Sequence, residues 1–267
     1  MAVRFPSWVR SVALGLGLGL GLGGVARARS RSTGAVERDV VIGGKAELDA
    51  MLAFAGLDSH WRRAFAAAAL GESGFHSNVY LGDAREAPAW ARISNQNDSL
   101  GARTVEDGRQ AYERNESWLR DCGWPAKRYF FSGGWLQQFP ANGAYVYKGT
   151  PLACLDPWYC LDAVEQVVPL LGITQRVIRR DSFQSLPTFL NWRVGIGNPA
   201  SMGKPESLER MRSGKNKFGE RLEQLGTDRS FAEQPITPFP DFDPVALRQR
   251  LIAEFRGGHS PFFRHKP

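Results

Sequence analysis

The stretch Phe65–Phe75, FAAAALGESGF, holds one ionisable side chain, Glu72, at the end of an apolar run. Trp61, Phe65, Ala68, Ala69 and Glu72 follow one another at i, i+4, i+7, i+8 and i+11. Eleven residues are close to three helical turns, so Glu72 falls on the stripe that Trp61 begins. That stripe should face the core, which sets Glu72 in the last turn of an apolar face. Partial desolvation and the negative end of the helix dipole both disfavour a charged carboxylate there. A carboxyl that keeps its proton near neutral pH is what a general acid for glycosidic cleavage needs. The helix alone fits a solvated glutamate at a frayed end better, so the surroundings decide.

About sixty residues later comes GWLQQFPANGAYVY, Gly134 to Tyr147. Gln137 both donates and accepts, which suits holding a sugar acetamide or hydroxyl, and Gln138 stands beside it. Trp135, Tyr145 and Tyr147 are candidate apolar platforms for sugar rings, with ordinary core packing as the alternative. Together, ESGF and GWLQQFPA resemble the soluble lytic transglycosylases, which have a lysozyme-like fold. In that family an ESxF helix end carries the catalytic glutamate, and a GLMQLMPA-type segment lines the cleft. Gly134, Gln137, Pro140 and Ala141 match the second segment in register, while Trp135 and Leu136 replace its Leu and Met. Asp156 and Pro157 match the start of the family's next helix. Asn191, in FLNW, is the nearest counterpart of a third motif.

The resemblance implies a mainly α, lysozyme-like domain with minimal β structure and Glu72 as sole catalytic residue. Gln137, Gln138, Tyr145, Tyr147 and Asn191 are its expected substrate contacts. The implied partner is the glycan strand of peptidoglycan. The implied reaction breaks the β-1,4 bond between N-acetylmuramic acid and N-acetylglucosamine, with no metal or other cofactor. The alternatives are a hydrolase acting on the same bond and a non-catalytic wall-binding protein on the same fold. A hydrolase usually wants a second carboxylate. Asp83, Glu86 and Asp98 are the candidates, though each reads better as a surface acid. The long gap between the two motifs departs from the family pattern and suggests an insertion over about residues 76–131.

The elements that must position these residues are mostly helical. AELDAMLAFAG has helical spacing with Gly56 as its stop, and Asp58 or Ser59 can cap the helix that ends in Glu72. Residues 76–106 read mainly as loop. VEDGRQAYERNESWLRDCGW reads as an exposed amphipathic helix before Pro125. FFSGGWLQQFPANGAYVY reads as a shaped turn. DPWYCLDAVEQVVPLLGI reads as a helix capped by Asp156 with Pro157 in its first turn. DPVALRQRLIAEF is a last helix. The domain spans about residues 45–200, followed by a C-terminal helical extension over 201–267.

Arg4 and Arg10 precede the apolar SVALGLGLGLGLGGVA, and Ala26-Arg27-Ala28 has the pattern of a cleavage site. Residues 1–28 therefore read as an export signal and 29–44 as a linker, with an uncleaved N-terminal anchor as the alternative. No stable membrane span is expected after cleavage. Removing residues 1–28 takes away three arginines and no acids, leaving +4 of the chain's +7 net charge. That mild charge gives no indication of nucleic-acid binding. Export to an oxidising compartment would let the three cysteines pair. Cys154 and Cys160 can close a small loop, or Cys122 can pair with either. The four histidines show no metal-ligand spacing with them.

Overall fold

A helix rich in alanine buries one broad face in the core. In the computed structural model, which describes residues 40–82, 87–93, 105–125, 129–181, 224–226, 237–260 and 262, helix α2 runs over Ser59–Ser73. Asp58 caps it, its carboxylate accepting from Trp61 N at 3.0 Å. Trp61, Ala64, Phe65, Ala67, Ala68 and Ala69 are all buried, a wider face than the single stripe expected. Small side chains over two turns let neighbouring elements approach closely. Helix α1 (Lys45–Phe54) packs on α2 through Leu48, Met51 and Leu52.

After α2 the chain enters a three-stranded sheet of order β2-β1-β3, made of Val79–Leu81 (β1), Arg92–Ile93 (β2) and Ser132–Gly133 (β3). β1 runs parallel to β2 and antiparallel to β3. The described residues are thus mainly helical with one small sheet. Two of its strands lie where the sequence reads as loop, because strands of two and three residues are too short to show a period.

Helix α3 (Val105–Asp121) corrects a second expectation. Its C-terminal half is inserted in the core: Asn115, Trp118 and Leu119 are buried, and the Trp118 indole donates to Ala153 O at 2.8 Å. Charged residues dominate its composition and hide the few contacts that anchor it. The C-terminal half of α3, within the segment that reads as an insertion, thus packs into the same core. A disulfide between Cys122 and Cys154 fastens it further, while Cys160 stays reduced and buried. The small Cys154–Cys160 loop does not form.

Helix α4 (Ala141–Val146) occupies the end of the segment that reads as a turn. The helix expected from Asp156 divides in two. Asp156 caps a 3-10 turn over Pro157–Leu161, accepting from Trp158 N. Asp162 then accepts from Val164 N and Glu165 N and starts helix α5 (Ala163–Asp181). Helix α5 is apolar nearly all round at its N-terminal half and lies in the centre of the core.

The described residues from 237 onward contribute to this core. Helix α6 (Pro244–Arg256) packs on α5 through Leu247, Leu251 and Ile252. Arg248 grips the buried Glu165 with two hydrogen bonds of 2.9 Å, and Arg256 pairs with Asp162. Ahead of α6, the Trp61 indole donates to Thr237 O at 3.0 Å, and Phe239 meets the Trp61 ring edge-on. The expected export signal lies outside the described residues, as do Asp83, Glu86, Asp98 and Asn191. No helix among the described residues is long and apolar enough to cross a membrane.

The disulfide closes a sequence separation of 32 residues, for which chain entropy predicts about 3–4 kcal/mol of stabilisation. Replacing Cys122 and Cys154 together by Ser should lower the urea midpoint accordingly. Replacing Cys160 by Ala should not remove the reductant sensitivity of the wild type.

Candidate functional site

Glu72 sits in the last turn of α2, half-buried, with no hydrogen bond or ion pair among the described residues. The helix ends abruptly just beyond it. Gly74 and Phe75 both adopt left-handed conformations, with φ of +60° and +65°. Glycine does so freely, whereas for phenylalanine the conformation costs roughly 1–2 kcal/mol. Gly74 N donates to Leu70 O and Phe75 N to Ala69 O, which closes the helix end.

The second segment meets this turn directly. The Trp135 indole donates to Phe75 O at 3.1 Å, linking positions sixty residues apart. Gly134 N donates to Val79 O at 2.9 Å, and the Gln137 amide donates to the same carbonyl at 3.2 Å. Gln137 itself has φ of +47°. Phe75 and Gln137 are the non-glycine residues of positive φ among those described, and they fall one in each motif. Backbone strain of this kind persists where surrounding contacts over-determine the chain, and it clusters at functional sites.

Those contacts are visible around Gly134. A Cβ there would lie 2.2 Å from both Cys160 O and Gln166 Oε1, and its φ is +80°. Only glycine fits. Gln166 Oε1 accepts from Trp135 N at 2.6 Å, while its amide donates to Ser77 O and Asp162 O. Gln138 is buried and donates to Gln166 O at 3.0 Å, with its backbone paired to Gly133 in both directions.

The expected substrate contacts therefore separate into two groups. Gln138 and Tyr147, at 4% and 1% exposed, are enclosed by protein and offer no surface to a sugar. Trp135 is likewise buried, so its large ring serves the packing rather than a sugar platform. Burial pushes the Tyr147 hydroxyl well above its ordinary range, with neighbouring Glu165 adding to the shift. Gln137 is half-buried, and its amide is committed to Val79 O and Gly134 O while its Oε1 accepts from Ser132. It shapes the segment through these bonds. Tyr145 is exposed, with the Arg176 guanidinium over its ring at 4.4 Å, and it keeps accessible surface for a ligand.

Sequence reasoning missed a polar pair beside Glu72. His76 N donates to Ser73 O, and Arg92 on β2 donates to His76 Nδ1 at 2.7 Å. Arginine can only donate, so Nδ1 accepts and the neutral ring carries its proton on Nε2. Histidine four positions after the glutamate was the available signal; its partner lies across the sheet. Gln166 was also missed, although a Glu-Gln pair inside an otherwise apolar helix marks buried polar work.

Among the described residues there is no cluster of three or more metal-ligating side chains. No protein-family model, no curated protein and no solved structure matches the chain.

Burial and the Arg92 charge both hold His76 below its ordinary value. The unfolded chain, whose histidines titrate near ~6.5, then binds more protons in the window below that pH. The stability contribution is complete above about pH 6.5 and is lost as pH falls toward the lowered folded value. An NMR titration of the imidazole should give a midpoint below that of a free histidine. His76→Asn should remove this part of the slope of stability against pH.

Proposed function

We propose that this protein is a lytic transglycosylase that cleaves peptidoglycan glycan strands, with Glu72 as its acid and base. The observation that supports it most is the hydrogen bond from the Trp135 indole to Phe75 O, which joins ESGF to GWLQQFPA. The half-buried position of Glu72, free of partners among the described residues, leaves its carboxyl open to a substrate. The strained residues on both sides of that contact fit a preorganised site.

In this reading the Glu72 carboxyl first protonates the oxygen that bridges C1 of N-acetylmuramic acid to N-acetylglucosamine. The C1–O bond breaks and the N-acetylglucosamine end leaves with its hydroxyl restored. The Glu72 carboxylate then takes the proton from the C6 hydroxyl of the muramic sugar as that oxygen bonds to C1. The products are a 1,6-anhydro sugar and a new chain end, and Glu72 regains its proton. No water is consumed, so one carboxylate suffices. The Cys122–Cys154 disulfide agrees with action in an oxidising, extracytoplasmic compartment.

Digestion of peptidoglycan followed by mass spectrometry tests the reading. Anhydro-muropeptides, lighter by one water than the hydrolytic products, are expected. Reducing ends would instead support a hydrolase, and no release at all a non-catalytic wall-binding protein. Glu72→Gln should lower release by about 10²–10⁴-fold with an unchanged circular dichroism spectrum. Near-full activity of that variant would remove Glu72 from the mechanism.

A further inference from the structure

We infer that Arg92 is a substrate-recognition residue that reads a carboxylate carried by the glycan. This deepens the reading of the site as one that binds peptidoglycan strands, and rests on it. Arg92 is exposed on strand β2, which pairs through one edge with β1. Its backbone N donates to Asn78 O at 2.9 Å, and Asn78 Nδ2 donates to Trp90 O at 2.6 Å, so the strand is held on both sides of the sheet contact. The guanidinium is held against the turn that follows Glu72, because His76, its acceptor, is tied to Ser73 O. The guanidinium thus contacts a residue four positions beyond the proposed acid.

Its partner distinguishes Arg92 from the arginines held in ion pairs. Arg62, Arg179, Arg248 and Arg256 each meet an Asp or Glu carboxylate. Arg92 meets only a neutral imidazole among the described residues. A neutral acceptor orients the guanidinium without cancelling its charge, and one bond leaves most of its five N–H donors open. A planar fork with a fixed direction matches a carboxylate in two-point contact. Peptidoglycan strands differ from a plain N-acetylglucosamine polymer in carrying such groups: the lactyl carboxyl of a bare muramic sugar, or the carboxyls of its stem peptide. Arg92 is suited to that difference.

Calorimetry in the Glu72→Gln background reads binding apart from catalysis. Three probes are used: glycan strands stripped of peptide, strands bearing stem peptides, and an uncharged N-acetylglucosamine hexamer. Adding Arg92→Ala should weaken one or both carboxylated probes roughly three- to tenfold, and leave the hexamer unchanged. Arg92→Lys should retain part of the affinity. The probe affected identifies whether the lactyl group or the peptide supplies the carboxylate. Equal loss on all three probes, no loss on any, or no binding of any probe before Arg92 is changed overturns the inference. Absence of muropeptide release by the wild type would overturn the catalytic reading alone, because the binding comparison still judges Arg92.

Discussion

The amide of Gln166 is the constraint on which the site's geometry depends. It is buried in α5 and bonds three separated pieces of chain: Trp135 N, Ser77 O and Asp162 O. Its backbone carbonyl takes a fourth bond from Gln138. An unpaired amide in this interior would cost about 1–3 kcal/mol for each group left unsatisfied, so the three pieces are held together or the core is not closed. Gly134 presses onto the same amide with no room for a side chain. The turn after Glu72 and the loop of Trp135 thereby share one rigid anchor, contributed by a helix that belongs to neither motif.

This arrangement places strain where it is supported. Phe75 and Gln137 hold unfavourable backbone conformations, and each lies within a few residues of hydrogen bonds that leave little alternative. Stability comes from elsewhere: the alanine face of α2, the apolar N-terminal half of α5, and the Arg248–Glu165 pair that brings α6 against it. The candidate acid lies in the last turn of a helix whose first three turns carry a buried face. Its position is set by packing along α2 as far as Ala69 and by the bonds that hold the turn beyond it.

Local chemistry was readable from sequence where one element carried it alone. The α2 stripe, the Asp58 cap and the final helix follow from spacing and capping residues. The meeting of ESGF with GWLQQFPA was suggested by motif likeness, and its physical means, an indole bond to a backbone carbonyl, was not readable. Gln138 and Tyr147 looked like ligand contacts because polar and aromatic side chains serve cores and clefts alike, and burial depends on elements far along the chain. Helix α3 misled in the opposite sense. Its many charges outweighed the buried Asn115, Trp118 and Leu119. The cysteine pairing depended on how α3 meets the 3-10 turn at Pro151–Cys154, which no spacing rule contains.

Cys160 sits six positions beyond Cys154, close enough in sequence to compete for it while the chain is still open. In the folded protein the contest is over. Cys160 is fully enclosed, and burial pushes its thiol far above the range in which thiolate forms. Since only the thiolate attacks a disulfide, the core acts as a lock on the redox isomer. The correct bond is thus preserved by hiding its rival, and scrambling requires the core to open first. Handling that unfolds the chain at alkaline pH would release that rival, so the history of a sample, as much as its sequence, decides which isomer is present.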